Sequence, residues 1–552
     1  MVGIHEKYVT EKYNADGELT ELKINCPDNY NFAYDVIDEL GRRSPDKKAI
    51  IWIGEDGTEK IFTYADLMRE SNRAANMFIA NGVKKGDKVI CILKRHYQFW
   101  IITMALCKIG AVLIPATNQL KKKDYIYRFK AADVDYIVAT ADGDVAENVE
   151  AALTEYDLPG KKFIVHGNRE GWLNFDDECA KYGDSFERIE GSAYDDMLLY
   201  FTSGTTAYPK MVVHNQTYTL AHIITAKHWH HIDDHSLHLT VSETGWGKCM
   251  WGKMYGQFLM EACIFIYDFD RFNAHDLLVK MESYKVNSFC APPTIYRFLV
   301  KEGIENYDFS SLEYATTAGE ALNFEVYKRF LDYTGLKLME GFGQTETVLL
   351  VANLFGAKTK PGSMGRPVPL FDIELINEDG KPCEVGEPGE ICIKMNGTHP
   401  IGVFDRYYKD EAATATAFRN GYYHTCDTAY KDEDGFFWYV GRTDDVIKSS
   451  GYRISPFEIE SVLMEHPAVR ECAVTGVHDE VRGIVVKATI ILTSEYSDKG
   501  DDALKKDIQT YVKNNTAPYK YPRVIEFVDE LPKTISGKIR RVEIRQKDNE
   551  NK

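Results

Sequence analysis

Residues 200–215, YFTSGTTAYPKMVVHN, combine closely spaced hydroxyl side chains with a glycine and a lysine. Hydroxyls and flexible backbone amides can donate hydrogen bonds to phosphate oxygens, and Lys210 adds a point charge. The spacing is not the common G-x-x-x-x-G-K-[ST] order, and Ala207 stands where a glycine would seem natural. The segment predicts a phosphate-binding loop, with an ordinary surface turn as the alternative. The candidate phosphate ligands are Thr202, Ser203, Gly204, Thr205, Thr206 and Lys210.

A second segment, LKLMEGFGQTET (336–347), places a carboxylate between two hydroxyls. Mg²⁺ favours one or two carboxylates together with substrate phosphates, so Glu346 is a candidate magnesium ligand. Phe342 offers an apolar face on which a base could pack. Taken alone, the segment is also compatible with a polar loop that contains a chance acid.

Three further segments carry residues of the same kind. TTAGEAL (316–322) is a run of small residues beside which a ring could lie close to the backbone. HTCDTAY places Asp427 where a carboxylate could accept both hydroxyls of a ribose. GRTDDVIKSSGYRISPFEIE (441–460) collects basic side chains and a glycine at a predicted domain junction. Each of these segments alone is more typical of a solvated turn.

Composition limits the classes of protein to consider. A chain of 552 residues is too long for one hydrophobic core, and its formal charge of -18 argues against nucleic-acid binding. Eleven cysteines without a C-x-x-C pair favour a reducing compartment, and we expect a cytoplasmic protein. The first residues lack an apolar segment of signal-peptide type. The most apolar region, 89–115, is interrupted by charges, so we expect no membrane span.

The patterns predict an α/β multidomain fold. Strand-like runs such as KVICIL alternate with helical patterns such as YADLMRESNRAANMFIANG, which ends on Gly82 as on a C-cap. Hairpin-like strands follow from about residue 369. The last hundred or so residues predict a small α+β domain with the helices PFEIESVLMEHP and DALKKDIQTYVKNN. The domains are predicted as residues 1–443 and 444–552.

The order of these segments, followed by PKTISGKIRR (532–541), resembles the acyl-adenylate-forming (AMP-binding) superfamily over about residues 30–545. Within it the chain is most similar to the medium-chain acyl-CoA synthetases. That similarity lies in NFAYDVIDE, IPATNQLKKKDYIYR (114–128), SETGW (242–246), GFGQTET and TAPYKYPR (516–523). The resemblance implies a large N-terminal domain of layered α/β subdomains plus a distorted β-barrel, with a small mobile α+β C-terminal domain.

The resemblance also implies a two-step, AMP-forming acid–thiol ligase of fatty acid metabolism. A carboxylic acid of short to medium chain length, linear or branched, is first converted by Mg-ATP to acyl-AMP and pyrophosphate. Coenzyme A then displaces AMP to give a thioester. Alternatives are a stand-alone ligase that loads a carrier protein, an aryl-CoA ligase of benzoate type, and a non-catalytic adenylate-binding protein. ATP and CoA are the expected co-substrates, and Mg²⁺ is the expected cofactor. The sequence leaves open whether the protein forms a homo-oligomer.

Site residues follow from the resemblance, position by position. Lys538 would bridge carboxylate and α-phosphate as a catalytic residue with Thr205 and Glu346, although the basic run around it is also typical of a solvated tail. Asp427 and Arg442 would hold the ribose. The remaining ATP ligands are Gly319, Glu320, Ala321, Gly341, Phe342, Gly343, Gln344 and Thr345.

Rotation of the C-terminal domain about Asp444 would let the thiol approach. The expected CoA-binding residues are Gln119, Ser450, Gly451, Tyr452, Arg453, Arg482, Tyr519, Lys520 and Tyr521. For the acyl pocket, Gly343 occupies the position at which acetate-specific relatives have a tryptophan, so space should open there. Trp246 or Trp251 could instead form a wall that limits chain length.

Two further features stay open on the sequence alone. HWHHIDDHSLH (228–238) carries five histidines, which invites a zinc site, but its spacing matches no usual structural site and a solvated loop is the alternative. Cys426 replaces the glycine usual in the family's TGD-like triplet. Together with Ala207, this departure leaves room for weakened nucleotide binding.

Overall fold

The computed structural model describes residues 3–202, 209–320, 322, 324–449, 452–479, 483–517, 519–534 and 538–550, without the side chains of residues 452 and 453. The described residues form two compact units. The first contains residues up to 372 together with 395–421, and the second contains 373–394 and the chain from 422 onward. The domain boundary between residues 443 and 444 stays a prediction.

The strands are given first, because they set the frame of both units. In chain order they are β1 (Val9–Tyr13), β2 (Leu19–Ile24), β3 (Lys48–Gly54), β4 (Glu59–Thr63), β5 (Lys88–Ile92), β6 (Val112–Ala116), β7 (Tyr136–Thr140), β8 (Lys162–Val165), β9 (Leu173–Asn174), β10 (Asp196–Phe201), β11 (Met211–Asn215), β12 (Leu237–Thr240), β13 (Cys263–Asp268), β14 (Ser288–Ala291), β15 (Tyr314–Thr317), β16 (Leu338–Gly343), β17 (Leu349–Ala352), β18 (Arg366–Pro367), β19 (Ile373–Ile376), β20 (Gly389–Lys394), β21 (Arg406–Tyr407), β22 (Phe418–Arg419), β23 (Tyr422–Lys431), β24 (Phe437–Arg442), β25 (Ile447–Ser449), β26 (Tyr452–Ile454), β27 (Val469–Asp479), β28 (Gly483–Leu492) and β29 (Val524–Phe527).

The α-helices connect and cover these strands. They are α1 (Glu39–Arg43), α2 (Tyr64–Ala80), α3 (Gln98–Ile109), α4 (Lys122–Ala132), α5 (Val145–Leu153), α6 (Phe175–Cys179), α7 (Thr217–Ala221), α8 (Gly247–Lys253), α9 (Tyr255–Leu259), α10 (Ala274–Tyr284), α11 (Pro293–Glu302), α12 (Phe324–Thr334), α13 (Glu411–Ala417), α14 (Pro456–Leu463), α15 (Asp502–Asn515) and α16 (Arg541–Glu550). Short 3₁₀-helices span Ile4–Lys7 and Ile304–Asn306, and π-helices span Ala33–Asp38 and Ile224–Trp229.

Two large sheets organise the first unit. One has the order β21-β11-β10-β6-β5-β7-β8-β9, and the other β18-β17-β16-β15-β14-β12-β13-β3-β4. Their central strands are parallel and buried on both faces, which explains why KVICI reads as a continuous apolar run. Each sheet carries its own hydrophobic core, around Ile90 and Ile114 in one and Phe265 and Phe289 in the other.

Local signals placed α2 correctly. Thr63 accepts a hydrogen bond from the amide of Asp66, whose carboxylate accepts one from the amide of Thr63, so a capping box starts the helix. Beyond its last residue, Gly82 adopts φ +98, a conformation that favours glycine. The helix predicted to end at Gly82 is therefore confirmed.

The second unit contains an antiparallel sheet in which β20 lies between β19 and β23, and β24 pairs with β23. Farther along the chain, β27-β28-β29 form a sheet whose core includes Ile459 and Ile508 from α14 and α15. The helices predicted in PFEIESVLMEHP and DALKKDIQTYVKNN correspond to α14 and α15. The predicted small α+β region is present, and the α/β multidomain class is confirmed.

Candidate active site

Two antiparallel strands, β10 and β11, flank the predicted phosphate loop in the sequence. Strand β10 runs parallel to β6 and antiparallel to β11, with Phe201 opposite Met211. The amide of Thr202 donates to the carbonyl of Lys210 at 2.9 Å, which continues the pairing of these strands by one bond. The loop residues Ser203, Gly204, Thr205, Thr206 and Ala207 lie outside the described residues. The sequence suggested a turn at a strand end, but not that the chain returns as an adjacent antiparallel strand.

Tyr407 links Lys210 to Glu346. The Lys210 ammonium lies 4.6 Å from the centroid of the Tyr407 ring, and the Tyr407 hydroxyl donates to Oε1 of Glu346 at 2.9 Å. The backbone of Glu346 is held as well, since its carbonyl accepts from the amide of Phe404 at 2.6 Å. Tyr407 thus contacts both Lys210, a predicted phosphate ligand, and Glu346, the predicted magnesium ligand. Sequence reasoning missed Tyr407, which no motif marks.

A buried histidine supports the loop that carries Glu346. Burial lowers the pKa of His214 to about 4, so its imidazole is neutral at pH 7. Its Nε2 donates to the carbonyl of Thr345 at 2.7 Å. Inside the loop, the amide of Gln344 donates to the hydroxyl of buried Thr347 at 3.1 Å. These bonds fix the backbone on which Glu346 stands, and His214 was a second residue that sequence reasoning missed.

The two segments predicted to surround adenine follow neighbouring parallel strands. Thr317 of β15 pairs with Glu340 of β16, so Gly319 and Phe342 emerge at the same edge of the sheet. Gly319 has φ +101, and a Cβ placed there would meet no atom of the described residues within 4 Å, so none of them covers its face. Glu320 is exposed and accepts from the Thr294 hydroxyl at 2.7 Å. Ala321 lies outside the described residues.

Glu340 is a further acid at this edge. Its side chain is buried, and burial raises the pKa of its carboxyl to about 8, although the Leu322 amide partly stabilises the carboxylate. A carboxyl group that is largely protonated near neutral pH can donate as well as accept a hydrogen bond. An acidic residue in the middle of a strand pattern, where an apolar side chain is usual, was the signal that could have identified it.

The space expected at Gly343 is filled by a tryptophan. A Cβ on Gly343 would overlap the Cη2 atom of the Trp251 ring and approach the Val348 carbonyl to 2.6 Å. The indole of Trp251 is buried, and its Nε1 donates to the Tyr218 hydroxyl at 3.1 Å. The expectation of open space at this position is therefore corrected. Trp246 precedes α8 and is half-buried, so of the two predicted walls Trp251 is the one that packs against Gly343.

The predicted ribose ligands face each other across two strands of the second unit. Asp427 of β23 pairs with Arg442 of β24, and the Tyr439 hydroxyl donates to Oδ1 of Asp427 at 2.9 Å. Burial opposes the charge of Arg442, but the carboxylates of Asp427 and Asp444 outweigh it and raise the pKa of the guanidinium. The structure places the two residues opposite each other, and their role as ribose ligands stays a prediction.

Cys426, just before Asp427, adopts a left-handed conformation with φ +59. Its amide donates to Oε1 of Glu390 at 2.8 Å, and the amide of Asp427 donates to the Thr425 hydroxyl at 3.1 Å. A positive φ favours glycine, which explains the glycine usual in the family at this position. Cys426 adopts the positive φ although it carries a side chain.

Lys538 differs from the basic residues around it. Lys533 pairs with Glu471, and Arg541 makes bonds of 2.6 and 2.7 Å to the buried carboxylate of Glu460. Lys538 is exposed, its backbone is held by Thr534, and no ion pair engages its ammonium within the described part of the chain. The neighbouring basic residues are thus engaged in ion pairs, and the catalytic role of Lys538 stays a prediction.

The predicted CoA ligands are only partly described. Lys520 is already paired with Glu458 at 2.6 Å, Tyr519 is exposed, and the Tyr521 hydroxyl accepts from Arg523 at 2.8 Å. Ser450, Gly451 and Arg482 lie outside the described residues, as do the side chains of Tyr452 and Arg453. Gln119 belongs to the first unit, between β6 and α4. The hinge candidate Asp444 occupies a turn after β24.

The histidine-rich segment 228–238 is largely buried, so the solvated-loop interpretation is wrong for three of its members. His228 contacts Glu11 at 2.9 Å, His230 contacts the Thr316 hydroxyl at 2.7 Å, and His238 contacts Ser288 at 2.8 Å. Burial lowers the pKa of His238 to about 3. These histidines bond to separate partners, and whether the segment binds a metal stays untested.

Comparisons place this geometry in a family. The AMP-binding enzyme family matches residues 37–408, and the AMP-binding enzyme C-terminal domain matches residues 458–538. "Acyl-coenzyme A synthetase ACSM3, mitochondrial" of Homo sapiens is 39% identical over 97% of this chain and 92% of its own length. "Acyl-coenzyme A synthetase ACSM4, mitochondrial" of Homo sapiens is 38% identical over 95% and 91%. The crystal structure of the anthranilate CoA ligase AuaEII in complex with anthranoyl-AMP is 26% identical, with a TM-score of 0.86 over 95% of this chain and 98% of that chain.

The comparisons also correct one prediction. The cytoplasmic location inferred from cysteine content is wrong, because the matched relatives are named as mitochondrial proteins. Over the part of the chain that the structure describes, no helix is long and apolar enough to cross a bilayer. The family recognised from the sequence motifs is confirmed by matches that cover both the large and the small region. The chain is a member of the AMP-binding enzyme family.

Proposed function

We infer that the protein is an AMP-forming acyl-CoA synthetase. The single observation that carries this conclusion is identity of 38–39% over nearly the whole chain to proteins named acyl-coenzyme A synthetases. The first half-reaction forms a bond between a carboxylate oxygen and the α-phosphorus of ATP and breaks the bond to the β-phosphate, which releases pyrophosphate. In the second, the sulfur of CoA attacks the acyl carbonyl carbon and AMP leaves.

Charge explains the proposed roles of Lys210 and Lys538. A carboxylate approaching a triphosphate is an anion meeting an anion, so cationic side chains must offset the charge that builds up. Lys210, held over the Tyr407 ring, would receive the β- and γ-phosphates. Lys538, whose ammonium has no ion pair among the described residues, would bridge the carboxylate and the α-phosphate.

Glu346 fits the proposed Mg²⁺ ion. Its carboxylate is a hard oxygen donor, and the hydrogen bond from Tyr407 to Oε1 fixes its orientation. When bound, Mg²⁺ would neutralise phosphate charge. The contribution of the chain is to hold one carboxylate in place through Tyr407, Phe404 and the His214-supported loop.

The nucleoside would be held by the predicted ribose and adenine residues. Asp427 and Arg442 would hold the ribose, and the Tyr439 hydroxyl orients the Asp427 carboxylate. Gly319 and the ring of Phe342 would border the base. Glu340, buried at the same sheet edge, would provide a hydrogen-bonding group for the edge of the base. Rotation about Asp444 for the thioester step belongs to the same proposal.

We propose a short-to-medium-chain acid as substrate. The Trp251 ring fills the space beside Gly343, where it would limit the length of the acyl chain. An aryl acid is the second candidate, because the structural relative with TM-score 0.86 is an anthranilate CoA ligase. Hydrophobic pockets separate neighbouring homologues by only about 1–3 kcal/mol per methylene, so a graded preference is expected.

A panel of linear, branched and aromatic acids tests the proposal. Purified protein with Mg-ATP should release pyrophosphate with the preferred acids and form a thioester only when CoA is added. Pyrophosphate release without any thioester would instead support the carrier-loading alternative. Absence of pyrophosphate release across the whole panel would contradict the synthetase assignment.

A further inference from the structure

Two clusters of metal-ligating side chains stand outside the proposed active site. In the described residues, His96, Asp142 and His166 bring three ligand atoms within 4.8 Å of one another. The Lys94 ammonium, however, already lies 2.8 Å from Asp142 and supplies a cation to that cluster. The second cluster combines a carboxylate, a thiol and an imidazole in the second unit, namely Glu390, Cys392 and His424.

Strand pairing creates the second cluster. Cys392 of β20 and His424 of β23 are directly opposite Cα partners, and Glu390 precedes Cys392 by two residues on the same strand. Oε2 of Glu390 lies 2.8 Å from Nδ1 of His424, and Sγ of Cys392 lies 3.5 Å from the same nitrogen. Cys392 is fully buried, and only 7% of the His424 side chain and 15% of the Glu390 side chain are exposed. The three side chains are therefore largely shielded from solvent, and their ligand atoms lie within 4.8 Å of one another.

The sulfur–nitrogen separation matches tetrahedral zinc, and the nitrogen–oxygen separation is about 0.5 Å too short for it. With Zn–S of about 2.3 Å and Zn–N of about 2.0 Å, a tetrahedral angle puts sulfur and nitrogen about 3.5 Å apart, which is the separation of Cys392 and His424. The corresponding nitrogen–oxygen separation is about 3.3 Å, so the Glu390 carboxylate has to withdraw by about 0.5 Å. We propose that Glu390, Cys392 and His424 bind a Zn²⁺ ion, with water as the fourth ligand.

The ligand chemistry favours zinc over the harder cations. A thiolate and an imidazole select Zn²⁺, whereas Mg²⁺ and Ca²⁺ favour oxygen ligands. Three protein ligands plus water is an arrangement that zinc proteins use. The proposed ion is therefore distinct from the Mg²⁺ that accompanies ATP.

The surroundings of His424 set the expected affinity. Its Nε2 is buried and has no hydrogen-bond partner among the described residues. Zinc-ligating histidines usually donate their second nitrogen to a partner, and loss of that partner weakens binding by about 10–100-fold. The proposed site should therefore bind zinc more weakly than a structural site with complete outer-shell support.

The ion would act as a clip across β20 and β23. Oε1 of Glu390 accepts from the amide of Cys426, while Oε2 faces the proposed ion. Zinc would therefore hold the carboxylate that supports the left-handed turn before Asp427. The site takes no part in either half-reaction, and its occupancy can be measured without any activity assay.

Cobalt titration tests the proposal on the full-length protein. After removal of metals with a chelator, Co²⁺ should bind with a stoichiometry of one and produce a thiolate-to-cobalt charge-transfer absorption, which one equivalent of Zn²⁺ abolishes. Cys392→Ser should remove that absorption, and His424→Gln should weaken Co²⁺ binding at least about 10-fold.

Cys472→Ser is the matched control. Cys472 is another buried cysteine of the second unit, with its thiol 3.7 Å from the Glu460 carbonyl, and the variant should keep the cobalt spectrum unchanged. Circular dichroism checks that each variant is folded. If the wild-type protein gives no thiolate absorption, the proposal is overturned without reference to any variant. Retention of the absorption in Cys392→Ser would overturn it equally.

Discussion

Replacement of Cys426 by glycine should stabilise the protein. At φ +59 the cysteine Cβ lies close to the neighbouring carbonyl, a conformation that costs a non-glycine residue about 1–2 kcal/mol. Glycine removes this strain but loses more conformational entropy on folding, which costs about 0.5–1 kcal/mol. The difference predicts a net gain of about 0.5–1 kcal/mol for Cys426→Gly.

Thermal unfolding measures this gain. For domains of about 150–250 residues, 1 kcal/mol corresponds to a shift of about 2–4 °C, so Cys426→Gly should raise the unfolding midpoint by about 1–4 °C. The bonds that define the turn use the backbone amides of Cys426 and Asp427 and survive the substitution. The KM for ATP should therefore stay within about twofold of the wild-type value, a free-energy change of under about 0.5 kcal/mol.

Cys426→Ala is the matched control, because alanine removes the thiol but keeps Cβ and the strained φ. Its unfolding midpoint should stay near that of the wild-type protein. If alanine stabilised the protein as much as glycine, the gain would come from loss of the thiol and the argument from backbone strain would be refuted. A lower midpoint for the glycine variant would refute it as well.

Four other predictions concern the site itself. Trp251→Ala should move the preferred acid toward longer chains. Each methylene newly buried is worth about 0.8 kcal/mol, so kcat/KM should rise about fourfold per methylene. Unchanged relative kcat/KM values across the acid panel would contradict the role of Trp251 as a wall. Tyr407→Phe removes the hydroxyl that orients the magnesium ligand and should raise the KM for Mg-ATP about 10-fold or more, from a charge-assisted bond of about 1.5–3 kcal/mol. Lys538→Ala should abolish most pyrophosphate release yet spare CoA attack on supplied acyl-AMP, whereas Lys533→Ala should affect neither. Burial keeps the folded-state pKa of Glu340 near 8, against 4.5 for an ordinary glutamate. The free energy of unfolding should therefore fall as the pH rises from about 4.5 to about 8. In Glu340→Gln, the free energy of unfolding measured in urea should depend less on pH over this range.

Local signals in the sequence were sufficient for elements whose ends are set by neighbouring residues. The capping box at Thr63 and the glycine after α2 define one helix, and the buried run KVICI defines a central strand. The motif order was enough to identify the family, because it depends on residue types and not on their positions in space.

Contacts that depend on distant strand pairing were not predictable in the same way. Tyr407 approaches Glu346 because β21 pairs with β11, which no local pattern reveals. The filling of the space beside Gly343 required the position of α8, where Trp251 lies. The left-handed φ of Cys426 was visible only as a departure from the family triplet. No local pattern marks the Glu390 carboxylate, which accepts a hydrogen bond from the Cys426 amide.

The contact between Trp251 and Gly343 restricts the order in which substitutions can accumulate during evolution. A side chain at residue 343 would overlap the indole, so any larger residue there is tolerated only after residue 251 has become smaller. The reverse order passes through a clashing intermediate. A side chain at residue 343 also approaches the Val348 carbonyl to 2.6 Å, so it needs a backbone shift in addition to a smaller residue 251. Substitution at residue 251 must therefore come first.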